Sequence, residues 1–339
     1  MTATSTPTRD IVIDRFGPAS TLHVRAAQSR APADHEVEID VAYSGINFAD
    51  IQMRLGFYPD APTRPFVPGY EVSGTVRAIG ARVKGIVIGD RVAAGTYFGG
   101  YASRVTLPAS QVFPLPASID LEAGAALPVN YFTAQLALFE MARVRRGDRV
   151  LVECATGGVG VLAIQMARHV GAEVTGLTTT PAKRAFIEGL GATAYTRDEF
   201  QRTADLRGYD LIINASGGAE IEWQRARLGM TGRMICLGLS SGVKDGKRNY
   251  LRMGLAALRM PRISVLKLFD ASTGIYALNA LHVLRDAAWI ARLTASMTSI
   301  AEMGIAPHVG KVFAAADVAA AHSFLETKQA TGKVLLAWS

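Results

Sequence analysis

The run Cys154-Ala155-Thr156-Gly157-Gly158-Val159-Gly160 follows the apolar stretch Val150-Leu151-Val152 and precedes ten residues, 161–170, of helical composition. Strand, glycine turn and helix in that order are what a phosphate-binding turn requires. Glycines let the backbone approach a pyrophosphate closely, and the start of the following helix offers unbonded N–H groups and the positive end of its dipole. A tight turn with no ligand uses the same residues. Here the flanking strand and helix, and three later units of the same kind, favour a dinucleotide site. The segment after the second strand, 176–184, contains Thr178, Thr179, Thr180, Lys183 and Arg184 but no carboxylate that could take a ribose 2′-hydroxyl. Hydroxyls and cations suit a 2′-phosphate, so the expected cofactor is NADPH. The competing reading is that Lys183 and Arg184 solvate a helix start. Two further turns, one carrying Gly217 and Gly218 and one carrying Gly238 and Ser240, follow later strand candidates. In a doubly wound sheet such strand ends lie along the ligand crevice.

The elements that must position these residues fall into two patterns. Up to about Pro116 short β-rich runs alternate with Gly and Pro, as in 11–13, 37–43, 70–79, 91–93 and 101–107, which reads as an antiparallel β domain. A helical stretch from Leu121 through Met141 follows. Strand candidates at 149–154, 173–177, 210–214 and 233–237 then alternate with helices, so a parallel, doubly wound sheet is expected. Further strand candidates are 263–269, 311–313 and 333–338, with helices over 276–303 and 315–326. The tail is expected to rejoin the first domain.

At 339 residues the chain exceeds what one compact core usually holds. With 49% hydrophobic and 19% charged residues it has the composition of a globular enzyme rather than a disordered or fibrous chain. The formal charge of +7 comes from scattered Lys and Arg with no nucleic-acid motif, so an anionic cofactor or lipid surface is the better expectation for a partner. Cys154 and Cys236 sit in short apolar runs and read as buried thiols of a reducing cytoplasm. No signal-like apolar segment opens the chain and no apolar run reaches the roughly 18 residues that span a bilayer, so a cytoplasmic protein is expected.

The motifs Ser44–Pro59, Pro65–Val76, Gly89–Val92, Ala125–Ala134, Ala155–Gly160 and Thr331–Leu336 resemble, in order and over nearly the whole chain, the zinc-free quinone oxidoreductase branch of the medium-chain dehydrogenase/reductase superfamily. Asn130–Phe139 and Asp245–Asn249 are similar to its VAT-1-like members. The resemblance implies an α/β protein with a GroES-like β-rich substrate domain, 1–125 with 278–339, and a Rossmann domain of doubly wound parallel sheet, 126–277, that binds NADPH; homodimers are usual. It places Asn47 beside the nicotinamide and its ribose, Tyr58 at the substrate entrance and Thr133 near the cofactor. Gly157, Gly158, Val159 and Gly160 would hold the pyrophosphate, Thr179 and Lys183 the 2′-phosphate, and Gly238 the carboxamide side. Cys154 stands where a small Ala or Gly usually opens the turn. Arg197 stands where relatives place a Tyr over the adenosine phosphate, a position a guanidinium also suits. The stretch 270–275 departs from the family pattern, which leaves the substrate open.

Zinc members of the superfamily have a Cys where this chain has Asn47 and a His where it has Tyr70, and six scattered His with two Cys supply neither a catalytic nor a structural zinc set. No metal is therefore expected. Without a Lewis acid, hydride transfer to an isolated ketone leaves a poorly stabilised alkoxide, whereas addition to a conjugated carbonyl spreads charge as an enolate that donors such as Asn47 or Tyr58 can stabilise. A small hydrophobic quinone or enone is the expected substrate, with Asn47 and Tyr58 as catalytic candidates and aromatic residues such as Phe66 and Phe98 as walls. Two alternatives stand beside this. One is an enoyl-thioester reductase. The other is a catalytically weak NADPH-binding protein whose segment 244–262, basic and apolar by turns, makes weak contact with anionic lipid.

Overall fold

The computed structural model describes residues 6–203, 206–238, 254, 255, 258, 261–297 and 299–338. They divide into two compact units, one holding the chain up to Val129 and again from Leu284, the other the described residues from Asn130 to Val283.

In the first unit β1 (Thr6–Val12) and β2 (His23–Ser29) form an antiparallel ribbon. The main sheet takes β3 (Glu36–Ile46), β4 (Glu71–Ile79), β5 (Arg91–Gly95), β6 (Arg104–Pro108) and β7 (Val112–Pro114). Between β3 and β4 lies α1 (Phe48–Leu55), and after β7 come α2 (Leu121–Gly124) and α3 (Pro128–Gln135), the last crossing into the second unit. The helix expected over 121–141 is thus broken. Pro128 has no N–H to continue a helix and starts a new one instead, and residues 136–141 widen into a π-turn.

The second unit is a six-stranded, all-parallel sheet: β8 (Arg149–Val152), β9 (Glu173–Thr178), β10 (Thr193–Thr196), β11 (Tyr209–Asn214), β12 (Leu228–Cys236) and β13 (Gly274–Ala277), in the order β10-β9-β8-β11-β12-β13. The chain runs outward from β8 to β10 on one side and from β11 to β13 on the other. The direction reverses between β8 and β11, whose C-terminal ends flank the crevice where such sheets bind ligands. Its helices include α4 (Gly158–His169), α5 (Arg184–Gly189), α6 (Arg197–Arg202), α7 (Glu220–Arg225), α8 (Val265–Ala271) and α9 (Ala280–Val283). Leu151, Phe200, Ile212 and Met234 are fully buried at the centre of its core.

Two expectations for the tail of this unit are corrected. Residues 263–269 were expected as a strand but form α8 from Val265. The sixth strand is 274–277, overlapping the first two residues of the 276–303 stretch expected as helix, whose longest helix begins only at Ala287. The β-branched start at Ile263 and Val265 favoured a strand locally. A further parallel strand beside β12 requires a crossover first, and that topological demand overrides propensity.

From Leu284 the chain returns to the first unit with α10 (Ala287–Met297), β14 (Val309–Ala314), α11 (Val318–Glu326) and β15 (Lys333–Ala337). β15 pairs antiparallel with β3, Val334 opposite Ile46, so the end of the chain lies beside Asn47. The Trp338 indole N–H donates to Ser44 Oγ at 2.8 Å, fixing that register. Among the described residues no helix is long and apolar enough to cross a membrane.

Candidate functional site

In the second unit the glycine turn is held from below. β8 runs into Glu153, whose buried carboxylate accepts the Ala215 and Ser216 N–H groups at 3.0 Å each and pairs with Arg197 at 2.9 Å. That ties the end of β8 to the turn after β11 at the reversal point. The backbone then passes through Cys154 in a left-handed conformation, φ 54°, and Gly157 caps α4. A Cβ on Gly160 would lie 2.4 Å from the Cys154 carbonyl oxygen, and one on Gly158 would lie 2.5 Å from Asn130 Nδ2. Only glycine permits the helix to start this close to the strand and to α3. Val159 is half-buried and Thr133 buried.

After β9, Thr179 is exposed and Lys183 ends a single 3₁₀ turn, 181–183. Burial lowers the Lys183 pKa, and the Cys154 side chain at the glycine turn opposes that shift. Arg184 instead pairs with Glu199. Arg197, expected to serve the adenosine phosphate, has its guanidinium bound by Glu153 and, at 3.4 Å, by Glu220. The pairing neutralises the buried Glu153. Gly217 and Gly218 adopt φ of 65° and 60°, and the Gly217 N–H donates to Asn214 Oδ1 at 2.9 Å, shaping the second turn of the crevice. Gly238 is exposed after β12. Ser240 lies outside the described residues, as does 244–262 except for Gly254, Leu255, Leu258, Pro261 and Arg262.

In the first unit Asn47 caps α1. Its amide nitrogen donates to Glu71 Oε1 at 3.0 Å and its oxygen accepts from Lys333 Nζ at 2.6 Å. Lys333 and Glu71 also pair directly, both buried. Tyr58 is half-buried, its ring 6.2 Å from that of Tyr70, which lies 5.4 Å from Phe98; Phe66 meets Phe98 edge-on. Burial raises the Tyr58 pKa, so the phenol keeps its proton at neutral pH.

Glu71, Lys333 and Asp50 carry this arrangement and had no role in the sequence reading. The only local signal is that charged residues, Glu71 and Lys333, open β4 and β15; Asp50 lies within α1. Asp50 is fully buried, accepting from the Asn47 N–H at 2.7 Å, the Gly69 N–H at 3.2 Å and the Tyr101 hydroxyl at 3.2 Å. Burial pushes its pKa up to about 7. The folded state thus holds this proton over a pH range in which an unfolded Asp has lost it, so the group's contribution to stability falls as pH rises from about 4 to about 7. Asp50→Asn is expected to flatten the decline in unfolding free energy between about pH 5 and about pH 8. Urea unfolding at both pH values checks this, and an unchanged slope counts against it.

The first unit's mostly antiparallel sheet, in which β15 pairs antiparallel with β3 and parallel with β14, and the second unit's parallel sheet with a glycine turn at its reversal point define a nucleotide-dependent oxidoreductase architecture. The comparisons agree. Residues 33–117 match the alcohol dehydrogenase GroES-like domain and 190–336 the zinc-binding dehydrogenase family. The chain belongs to the medium-chain dehydrogenase/reductase superfamily. It is 30% identical to the rat synaptic vesicle membrane protein VAT-1 homolog, over 97% of this chain and 84% of that one, and 32% identical to rat quinone oxidoreductase, over 72% and 77%. The solved structure of mycobacterial Rv1454c complexed with NADPH superposes with a TM-score of 0.85 at 28% identity, over 98% of this chain and 100% of that one. Among the described residues no group of three His, Cys, Asp or Glu could hold a metal ion.

Proposed function

We propose that this protein is a zinc-independent, NADPH-dependent reductase that passes hydride to a small hydrophobic conjugated carbonyl compound, a quinone or an enone. The observation that carries the reading is the presence of two features in one chain. One is a glycine turn with Lys183 beside it and no carboxylate after β9. The other is a carboxamide, Asn47, held by a buried ion pair at a position where zinc relatives have a metal ligand.

NADPH, when bound, supplies the hydride. Gly158, Val159 and Gly160 hold the pyrophosphate through backbone N–H groups at the helix start that Gly157 caps, its own N–H being given to the Cys154 carbonyl at 2.9 Å, and Thr179 and Lys183 hold the 2′-phosphate. Thr133, Gly217 and Gly238 border the remainder of the cofactor. Asn47 donates to the oxygen that gains charge as the acceptor becomes an enolate. Tyr58, still protonated at neutral pH, delivers the proton, and Tyr70, Phe98 and Phe66 form a flat apolar wall for the acceptor.

Lys183→Ala is expected to weaken NADPH binding by about 10- to 100-fold while leaving NADH within about threefold, since one charge-assisted bond to phosphate is worth about 1.5–3 kcal/mol. Parallel fluorescence titrations of the two cofactors read this out, and equal losses for both would count against the assignment. We further infer a cytoplasmic homodimer. Among the described residues β13 is an edge strand, and on neighbouring α8 Val265, Leu266 and Phe269 are at least 78% exposed, an apolar face that a second copy would cover. Light scattering distinguishes monomer from dimer.

A further inference from the structure

Lys333 opens β15, and its side chain is only 4% exposed. Its ammonium donates to Asn47 Oδ1 at 2.6 Å and pairs with Glu71. Glu71 in turn accepts Asn47 Nδ2 at 3.0 Å on one oxygen and the Val129 N–H at 2.8 Å on the other. The three side chains close a ring in which each is bonded to the other two. A buried ion pair is an expensive way to stabilise a fold, because apolar residues of similar volume commonly serve as well or better. Its placement against a half-buried carboxamide needs another reason.

The ring decides what a carboxamide otherwise leaves open, namely which end is the oxygen. With the oxygen turned to Lys333 and one N–H on Glu71, the amide keeps one more N–H, since an Asn side chain has two donors. The ammonium on the oxygen draws charge out of the amide and makes that N–H a stronger donor. We propose that Lys333 and Glu71 are the positioning pair of the site: they orient and polarise Asn47 so that its second amide N–H binds the carbonyl oxygen of the acceptor. This rests on the reductase reading above and adds to it a requirement on the substrate. The acceptor must present an oxygen whose negative charge grows during hydride transfer and is shared by conjugation, because a single N–H stabilises less charge than a metal ion does.

The test uses Lys333→Met, Glu71→Gln and the double variant on the full chain, with kcat and acceptor KM measured separately. Each single change is expected to lower kcat by about 10- to 100-fold with KM altered by less than about threefold, the pattern of a lost transition-state donor. A single change also leaves a buried charge without its partner, so stability is measured alongside. The double variant, which removes both charges, is expected to regain stability without regaining kcat; recovery of kcat together with stability would overturn the proposal, since the pair would then be structural only. A second readout needs no turnover. The Asn47 side-chain amide ¹H–¹⁵N signals of the protein without cofactor, assigned by their loss in Asn47→Ala, are expected to move in Lys333→Met. If the unsubstituted protein reduces no acceptor, the reductase reading fails, and unmoved amide signals in Lys333→Met would separately overturn the orienting role of Lys333.

Discussion

Gly160→Ala is expected to cost the protein about 2 kcal/mol of stability and to weaken NADPH binding by about 100-fold or more. The added methyl carbon would sit 2.4 Å from the Cys154 carbonyl oxygen and 2.9 Å from the Ala155 backbone, and neither neighbour is a flexible side chain that can step aside. Either α4 moves off the end of β8 or the turn itself shifts. In both cases the N–H groups that face the pyrophosphate move together, and displacement of a positioned group by about 1 Å is enough for an effect of this size. Urea unfolding and fluorescence titration with NADPH measure the two parts independently. A variant that binds NADPH with unchanged affinity would show that this turn does not hold the pyrophosphate.

Glu326→Ala is expected to destabilise the protein by about 3–5 kcal/mol, the cost of leaving a buried charge without its partner. Arg54 is fully buried on α1 and pairs with Glu326 on α11, and among the described residues its Nε and Nη1 have no hydrogen-bond partner. Burial lowers the Arg54 pKa, and Glu326 is the main influence opposing that shift. The same helix is capped by Asn47, so the ion pair anchors the base of the candidate site through the C-terminal part of the chain. Arg54→Met with Glu326→Leu, which removes both charges, is expected to recover most of the loss. Urea unfolding of the single and double variants checks both statements, and a single variant within about 1 kcal/mol of the unsubstituted protein would show the pair to be dispensable.

What the sequence revealed, and what it hid, follows the range of the interactions. The glycine turn was legible because strand, turn and helix are contiguous, and the missing carboxylate after β9 lies in one short segment. The β-rich first unit announced itself through short runs broken by Gly and Pro. The ring around Asn47 could not be read in the same way, since Lys333 is 286 positions away and meets it only because β15 pairs with β3. The partner of Arg197 was hidden in the same way: Glu153 lies 44 positions earlier and meets it only once the sheet is assembled. At 263–269 the local pattern favoured a strand, and the topology of a parallel sheet required a crossover there first.

The most direct test of the proposed reductase is NADPH oxidation followed with a panel of quinones, enones and enoyl thioesters, with NADH in parallel and saturated ketones as controls. The expected result is turnover of at least one conjugated acceptor with NADPH preferred and with the saturated ketones inert, unaffected by metal chelators. Tight NADPH binding with no turnover of any conjugated acceptor, or turnover that chelation abolishes, would contradict it.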